Sequence, residues 1–319
     1  MDLRVRRLSG GLGALSDRHP GFALASPCRL CEATVMDASG PNAEQITYWN
    51  EQTGPKWVAE QAALDRMIGP FGERAMAALG VAAGHDVVDV GCGCGDTSLE
   101  LGRRVTASGS VLGVDISAPM LGRARERAKA EGLAHVHFAA ADAQTHRFPP
   151  ASADRIFSRF GVMFFAEPPH AFANLRATLR PDGRLGFVCW QPVTENHWML
   201  VPVMAAAQIV ALPPPPPPDA PGPFQLGEKD KLAGVLSAAG FRDVAIEAFA
   251  PKIVVGGGRT LDQTVAFVLQ LGPVGAVLRQ QPDADMARVS AAVREAIAPY
   301  ETPEGVAMPS ATWVVTARP

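Results

Sequence analysis

Val87-Val88-Asp89-Val90-Gly91-Cys92-Gly93-Cys94-Gly95-Asp96-Thr97 is an apolar run with an embedded carboxylate that breaks into alternating glycines. A short continuous apolar run bounded by glycine reads as a strand buried on both faces, the kind found at the centre of a parallel sheet. Glycine has no Cβ, so the turn after that strand can take positive φ and bring its backbone into van der Waals contact with a ligand. The segment that follows reads as a helix beginning near Ser98 and N-capped by Asp96 or Thr97, with its free N–H groups facing the turn. Such a cradle implies a nucleoside-containing cofactor.

The spacing narrows the choice. A dinucleotide turn needs G-x-G-x-x-G, its third glycine allowing close helix packing beside a pyrophosphate, but here Asp96 stands at that third position. No Lys-Ser or Lys-Thr pair follows a glycine-rich turn, which excludes a mononucleotide P-loop. An acid, one spacer and G-x-G-x-G, here Asp89, Val90, Gly91, Gly93 and Gly95, resembles the first motif of the class I S-adenosylmethionine (SAM) dependent methyltransferases.

Further segments carry the same resemblance. Val111-Leu112-Gly113-Val114-Asp115-Ile116 reads as a short strand ending in a carboxylate, about twenty residues past the glycine turn, where a ribose-binding acid belongs. By resemblance Asp115 takes the ribose hydroxyls, with Ile116 beside it, Ser117 as a helix N-cap, and Met120 as a soft surface for the adenine face. His135–Ala140 reads as a third strand. Asp142-Ala143 after it resembles the family's step in which the carboxylate meets the adenine amino group and the next amide meets the ring. Asp154–Phe160 reads as a fourth strand, with backbone around Ser158 facing the methionine amino group by resemblance. Leu179-Arg180-Pro181-Asp182-Gly183 leads into a fifth strand ending at Trp190. It resembles the Leu-x-Pro-Gly-Gly step of small-molecule methyltransferases, the ubiquinone and menaquinone biosynthesis branch among them, with Asp182 replacing a glycine.

Five parallel-type strands separated by helical intervals predict an α/β fold with a Rossmann-like doubly wound sheet. The resemblance extends this to seven strands, with Phe241–Glu247 entering the sixth and Ala311–Ala317 closing the sheet antiparallel, plus a helical lid. The expected organisation is a disordered or over-long tail at 1–41, a helical cover at 42–85, the SAM-binding core at 86–190, a lid and proline-rich linker at 191–241, and C-terminal strands and helices at 242–319 that complete the sheet and the acceptor pocket. The tail is rich in Arg, Gly and Ser and has Met36 as an alternative beginning; its lone Cys28-x-x-Cys31 lacks the second pair that structural zinc requires. No metal is expected.

Composition bounds the function. The 319 residues are 47% hydrophobic with a formal net charge of −3, so nothing basic enough to follow a phosphate backbone is present and a nucleic-acid substrate is disfavoured. Five cysteines, scattered, do not make a disulfide framework. No apolar run reaches the roughly 20 residues of a membrane helix. The expectation is a cytoplasmic protein acting on a small-molecule acceptor, with a homo-oligomer left open.

Tyr48 and Trp49 in the helical cover and Trp190 at the end of strand five are candidates for a lid over cofactor and acceptor, against the plainer reading that they pack a helix on the sheet. Pro213–Pro218 reads as an extended polyproline linker. Methyl transfer is an in-line displacement governed by alignment and exclusion of water. A base is optional; His197 is the first candidate and His170 the second, each weighed against a merely polar helix-start histidine. Cys92 and Cys94 are explained by small size in a tight turn. Two other functions stand beside methyl transfer. One is a catalytically silent SAM-binding regulator or partner; the other, an NAD-dependent oxidoreductase, is weakened by the absence of a Tyr-x-x-x-Lys pair.

Overall fold

The computed structural model describes Met36, residues 38–281 and residues 283–319. The basic tail and its Cys28-x-x-Cys31 lie outside the described residues.

The central strand β1 (Asp86–Val90) is buried along its whole length, as its unbroken apolar run requires. It pairs in parallel with β2 (Ser110–Asp115) on one side and β4 (Ala153–Arg159) on the other. Beyond β2 lies β3 (Val136–Ala140), and beyond β4 lie β5 (Leu179–Trp190), β10 (Thr312–Arg318) and β6 (Arg242–Phe249), giving a seven-stranded sheet of order β3-β2-β1-β4-β5-β10-β6. Only β10 runs antiparallel to its neighbours. The fold is therefore the expected Rossmann-like doubly wound sheet with an antiparallel last strand in sequence. The strand order reverses between β1 and β4, and in open α/β sheets a ligand crevice opens at the carboxyl ends of the strands that diverge there.

The longest helix of the N-terminal segment, α3 (Gln61–Leu79), follows two short ones, α1 (Ala43–Thr47) and α2 (Gly54–Ala59). Leu64, Met67, Ile68, Phe71, Ala75, Met76 and Leu79 recur at three- and four-residue spacing on its buried stripe, which lies across β4, β5 and β10. Leu79 is fully buried, and a Cβ on Gly186 of β5 would come within 2.9 Å of it. Helix α4 (Asp96–Val105) follows β1, α5 (Ala118–Ala130) follows β2 and α6 (Pro168–Thr178) follows β4.

The C-terminal part holds more than the sequence announces. A second, three-stranded antiparallel sheet, β7 (Lys252–Val255), β9 (Gly305–Pro309) and β8 (Glu301–Thr302), stands apart from the main one. A helix expected near Leu261–Leu271 is present as α9 (Leu261–Gln270), and an additional helix α10 (Gly272–Leu278) follows it at a 58° bend, because Gly272 has positive φ and Pro273 cannot continue the ladder. The remaining helices are α7 (His197–Ala206), α8 (Lys229–Ala238) and α11 (Met286–Ile297). No single helix among the described residues is long and apolar enough to cross a membrane.

Leu79→Ala removes a fully buried side chain from the seam between α3 and the sheet. It should lower unfolding free energy by about 3 kcal/mol, read from urea denaturation; a loss below about 1 kcal/mol would show that α3 is not integral to the core.

Candidate functional site

The parallel register puts Val90 opposite Val114, so the two chains leave the sheet side by side and the glycine turn meets Asp115 directly. Both Asp115 oxygens are held by backbone: Oδ2 accepts from Gly93 N and Oδ1 from Ser117 N, each at 2.8 Å. Gly91 has φ of +68°, and a Cβ there would lie 2.7 Å from Gly161 Cα, just past the end of β4. No side chain fits between these two backbones. Helix α4 begins at Asp96, earlier than expected. Its N-cap is Gly95 with φ of +86°, and neither Asp96 nor Thr97 caps it.

The polar groups expected to cap that helix are turned to another task. Thr97 and Ser98 both donate to Asp89 Oδ2 at 2.7 Å. Asp89 is fully buried, and its Oδ1 has no hydrogen-bond partner among the described residues. Burial pushes its carboxyl up to about 6, against the two hydroxyl hydrogen bonds that favour the charge. Cys92 and Cys94 are buried in the turn, which raises both thiols, Cys94 to about 12. They are inert fillers, as their size indicated.

A cavity of about 570 Å³ opens over this turn. Of the expected residues, Gly91, Gly93, Asp115, Ile116, Met120, Tyr48, Trp49 and Trp190 line it. Asp89, Gly95, Asp142, Ala143 and Ser158 do not form its wall. Asp142 accepts from Asn42 Nδ2 (2.9 Å), Gln144 N (2.9 Å) and Thr145 Oγ1 (3.2 Å), so it is engaged within the protein. Ser158 Oγ donates to Val90 O at 2.8 Å and accepts from Gly161 N, tying β1 to the end of β4. Ser117 is the N-cap residue of α5 by position, but its hydroxyl donates to Trp49 O at 2.8 Å instead of capping. His197 and His170 are both exposed and neither lines the cavity, so geometry gives neither a place beside a reacting atom.

The cover is fastened by two asparagines. Asn50 donates to Ile116 O and accepts from Ala118 N, both at 2.9 Å, and so performs from a distance the capping that Ser117 omits. Asn42 Oδ1 accepts from Ala166 N at 2.8 Å while its amide holds Asp142. Trp49 packs edge-on against Trp57 and Phe164 with centroids 5.6 and 5.3 Å apart, and Trp190 stacks on Phe160 at 4.1 Å. Away from the turn the cavity is apolar, walled by Met67, Ile68, Phe224, Phe267, Val274 and other side chains of α3, α9 and α10. Pro213 and Pro216 belong to that wall, so the proline run encloses the cavity as well as linking elements.

Sequence reading overlooked a charged group on the cavity floor. Asp65, Asp96 and Arg159 line it, and Arg159 reaches Asp96 with Nη1 at 2.7 Å. Gly72 of α3 makes room for the Arg159 stem, since a Cβ there would come within 3.1 Å of Arg159 Cδ. Burial works against the Asp96 charge, but Arg159 and Arg127 outweigh it and hold the carboxyl below its ordinary value. Among the described residues no group of three His, Cys, Asp or Glu side chains could hold a metal ion.

The residues present fit SAM. Gly91 and Gly93 put no side chain in a ligand's way, Asp115 is fixed at the edge of the cradle, and Met120 lies beside it, within 2.9 Å of where a Cβ on Gly93 would stand. Comparison with known proteins points the same way. Residues 87–183 match a family described as a methyltransferase domain. Over 169 residues the chain is 31% identical to nocamycin O-methyltransferase of Saccharothrix syringae, covering 50% of this chain and 60% of that protein. Over 109 residues it is 38% identical to the ubiquinone/menaquinone biosynthesis C-methyltransferase UbiE of Cellvibrio japonicus, covering 34% and 44%. The chain thus spans about half the length of the curated relatives it matches. The solved YcgJ protein of Bacillus subtilis superposes with a TM-score of 0.53 at 16% identity, over 78% of this chain and 98% of that one, a likeness of fold.

Asp89 makes stability depend on pH in a defined direction. Its folded carboxyl keeps a proton to about pH 6, whereas an exposed aspartate releases it near 4. Between those values the folded state binds more protons, so this group's contribution falls as pH rises and is lowest above 6. Asp89→Asn should therefore gain stability relative to the native protein on going from pH 4.5 to 7.5, by roughly 2 kcal/mol in urea denaturation. A constant difference between the two proteins would contradict the assignment.

Proposed function

We propose that this chain, whose residues 87–183 match a methyltransferase domain, is a class I SAM-dependent methyltransferase that transfers a methyl group from SAM to an O, N or C atom of a small, largely apolar molecule. The observation that carries the reading is the joining of the glycine turn to Asp115: the Gly93 amide orients the carboxylate at the lip of an apolar cavity. Bound there, SAM supplies an electrophilic methyl group on a sulfonium.

Each of this chain's parts then has a task. Asp115, with both oxygens anchored, keeps lone pairs for the ribose hydroxyls. Gly91 and Gly93 allow the ligand's tail to lie against backbone, and Met120 offers its polarisable sulfur to the base. Tyr48, Trp49, Trp57 and Phe164 cover the crevice and keep water out, so that a nucleophile meets the methyl carbon in a desolvated, aligned geometry. The apolar wall from α3, α9 and α10 receives the acceptor. Asp142 serves the adenine side by fastening Asn42 and the cover. With both histidines outside the cavity, alignment and desolvation carry the rate, and the proton of an oxygen or nitrogen acceptor leaves through solvent or the acceptor's own ionisation. The relatives' printed names include both O- and C-methyltransferases, and the apolar wall accommodates an acceptor of either kind.

Titration calorimetry tests the reading. S-adenosylhomocysteine should bind and NAD should not, and Asp115→Ala should weaken binding by about tenfold or more, equivalent to about 1.4 kcal/mol. Binding of NAD in place of S-adenosylhomocysteine would overturn it. Tight binding with no labelled-methyl transfer to any phenol, amine or carbon acid in a broad panel would favour a silent regulator.

A further inference from the structure

Trp198 of α7 carries a donor that the rest of the protein leaves unused. Six buried side-chain nitrogen and oxygen atoms have no hydrogen-bond partner among the described residues, and of these only Trp198 Nε1 belongs to a residue of the cavity wall. A buried N–H without a partner is costly, and one that persists calls for a reason. The indole is firmly placed. Asn196, fully buried just ahead of α7, donates to Gln191 O and Ala311 O and accepts from Ala311 N, each at 3.0 Å, which bolts the start of the helix to the end of β5 and the approach to β10. Two residues on, Trp198 leans against Trp190 with ring centroids 5.2 Å apart, and Trp190 stacks on Phe160 at 4.1 Å. Phe160 directly precedes Gly161, the residue that meets Gly91 of the glycine turn. The three rings thus form a row from the turn into the apolar half of the cavity.

The charges of the wall are confined to one end of that row. Asp115 is bound to the Gly93 amide, and Asp65, Asp96 and Arg159 are tied to one another directly or through Arg127, so every carboxylate and guanidinium lining the cavity belongs to the corner at the glycine turn. Around Trp198 the wall is apolar, with Met199 and Pro202 of α7, Val274 and Val277 of α10, and Pro213 and Phe224 from the stretch after α7. An ionised group there would have no partner. An indole N–H, moreover, can only donate. Taking the cavity as a methyltransferase site, the reading on which this step rests, we propose that Trp198 is a specificity-determining residue whose Nε1 donates to a neutral oxygen of the acceptor, and that the acceptor is an uncharged planar molecule of two or more rings lying along Trp198, Trp190 and Phe160. The oxygen it holds is at the end remote from the glycine turn, so this bond orients the acceptor and leaves a different atom to meet the methyl carbon. Nε1 is closed to solvent, so the bond forms as the indole edge turns toward the bound ring. The donor then gives up no water for its new partner, and a ligand with an oxygen in that place receives the full benefit.

The test uses two-ring probes on the full chain saturated with S-adenosylhomocysteine. 1-Tetralone carries a carbonyl oxygen, tetralin lacks it, and 1-aminotetralin carries a cation at neutral pH. The native protein should bind 1-tetralone at least about fivefold more tightly than tetralin, and 1-aminotetralin no better than tetralin. Trp198→Phe keeps an aromatic ring and removes the N–H. It should cut the preference to about twofold or less by weakening 1-tetralone alone, with tetralin and S-adenosylhomocysteine each held within about twofold of native. Retained S-adenosylhomocysteine binding reports that the variant is folded. If the variant does not fold, the native protein decides alone: with its five tryptophans labelled with nitrogen-15, one indole N–H signal should move downfield on adding 1-tetralone and stay in place with tetralin. No preference for 1-tetralone, binding of neither probe, or a preference that survives Trp198→Phe would overturn the proposal and leave the indole a packing group. Those outcomes leave the cofactor reading standing, whereas failure of the native protein to bind S-adenosylhomocysteine would remove that reading and this inference together.

Discussion

The contact on which the rest depends is the approach of two backbones at the point where β1 and β4 diverge. Gly91 and Gly161 sit so close that a Cβ on either would come within 2.8 Å of the other's Cα. Ser158 holds the approach by bonding to both Val90 O and Gly161 N. A parallel sheet whose strand order reverses must open a crevice there. What this sequence adds is a turn of alternating glycines and small cysteine side chains that leaves it unfilled, so the crevice remains as a cavity. The register of β1 with β2 then delivers Asp115 to its edge without further design.

Much of this was legible because it rests on local rules. The apolar run of β1, the glycines after it and the carboxylate ending β2 each have short-range signatures, and the parallel architecture follows from their alternation with helices. The helix start was misjudged by the same local logic. Asp96, Thr97 and Ser98 are good capping residues, but the first was drawn into an ion pair with Arg159 and the other two into bonds with a buried carboxylate. Long-range partners outbid the local cap. Asp142 presents the reverse case: its motif was visible, but not its partner Asn42, one hundred positions away.

The C-terminal third was the least legible. β7 and β8 are four and two residues long, too short for alternation to stand out, and β7 pairs with β9 across intervening helices. Arg159 was hidden for a different reason. An arginine at the end of a strand reads as a solvated surface residue, and only the room made by Gly72 on α3 shows that it turns inward. No periodicity in either segment encodes that meeting. His197 and His170 drew attention through their chemistry, yet both face solvent.

Buried, unpartnered polar atoms are rare in folded proteins because they are costly. Asp89 Oδ1 is one such atom, and it lies directly behind the glycine turn. The apolar wall from α3, α9 and α10 marks the other half of the cavity for a different occupant. The most direct measurement is a crystal structure of the chain with S-adenosylhomocysteine. The account predicts the ribose on Asp115, the base beside Met120 and the tail against Gly91 and Gly93 beneath Trp49. A ligand seated elsewhere, with the glycine turn untouched, would contradict it.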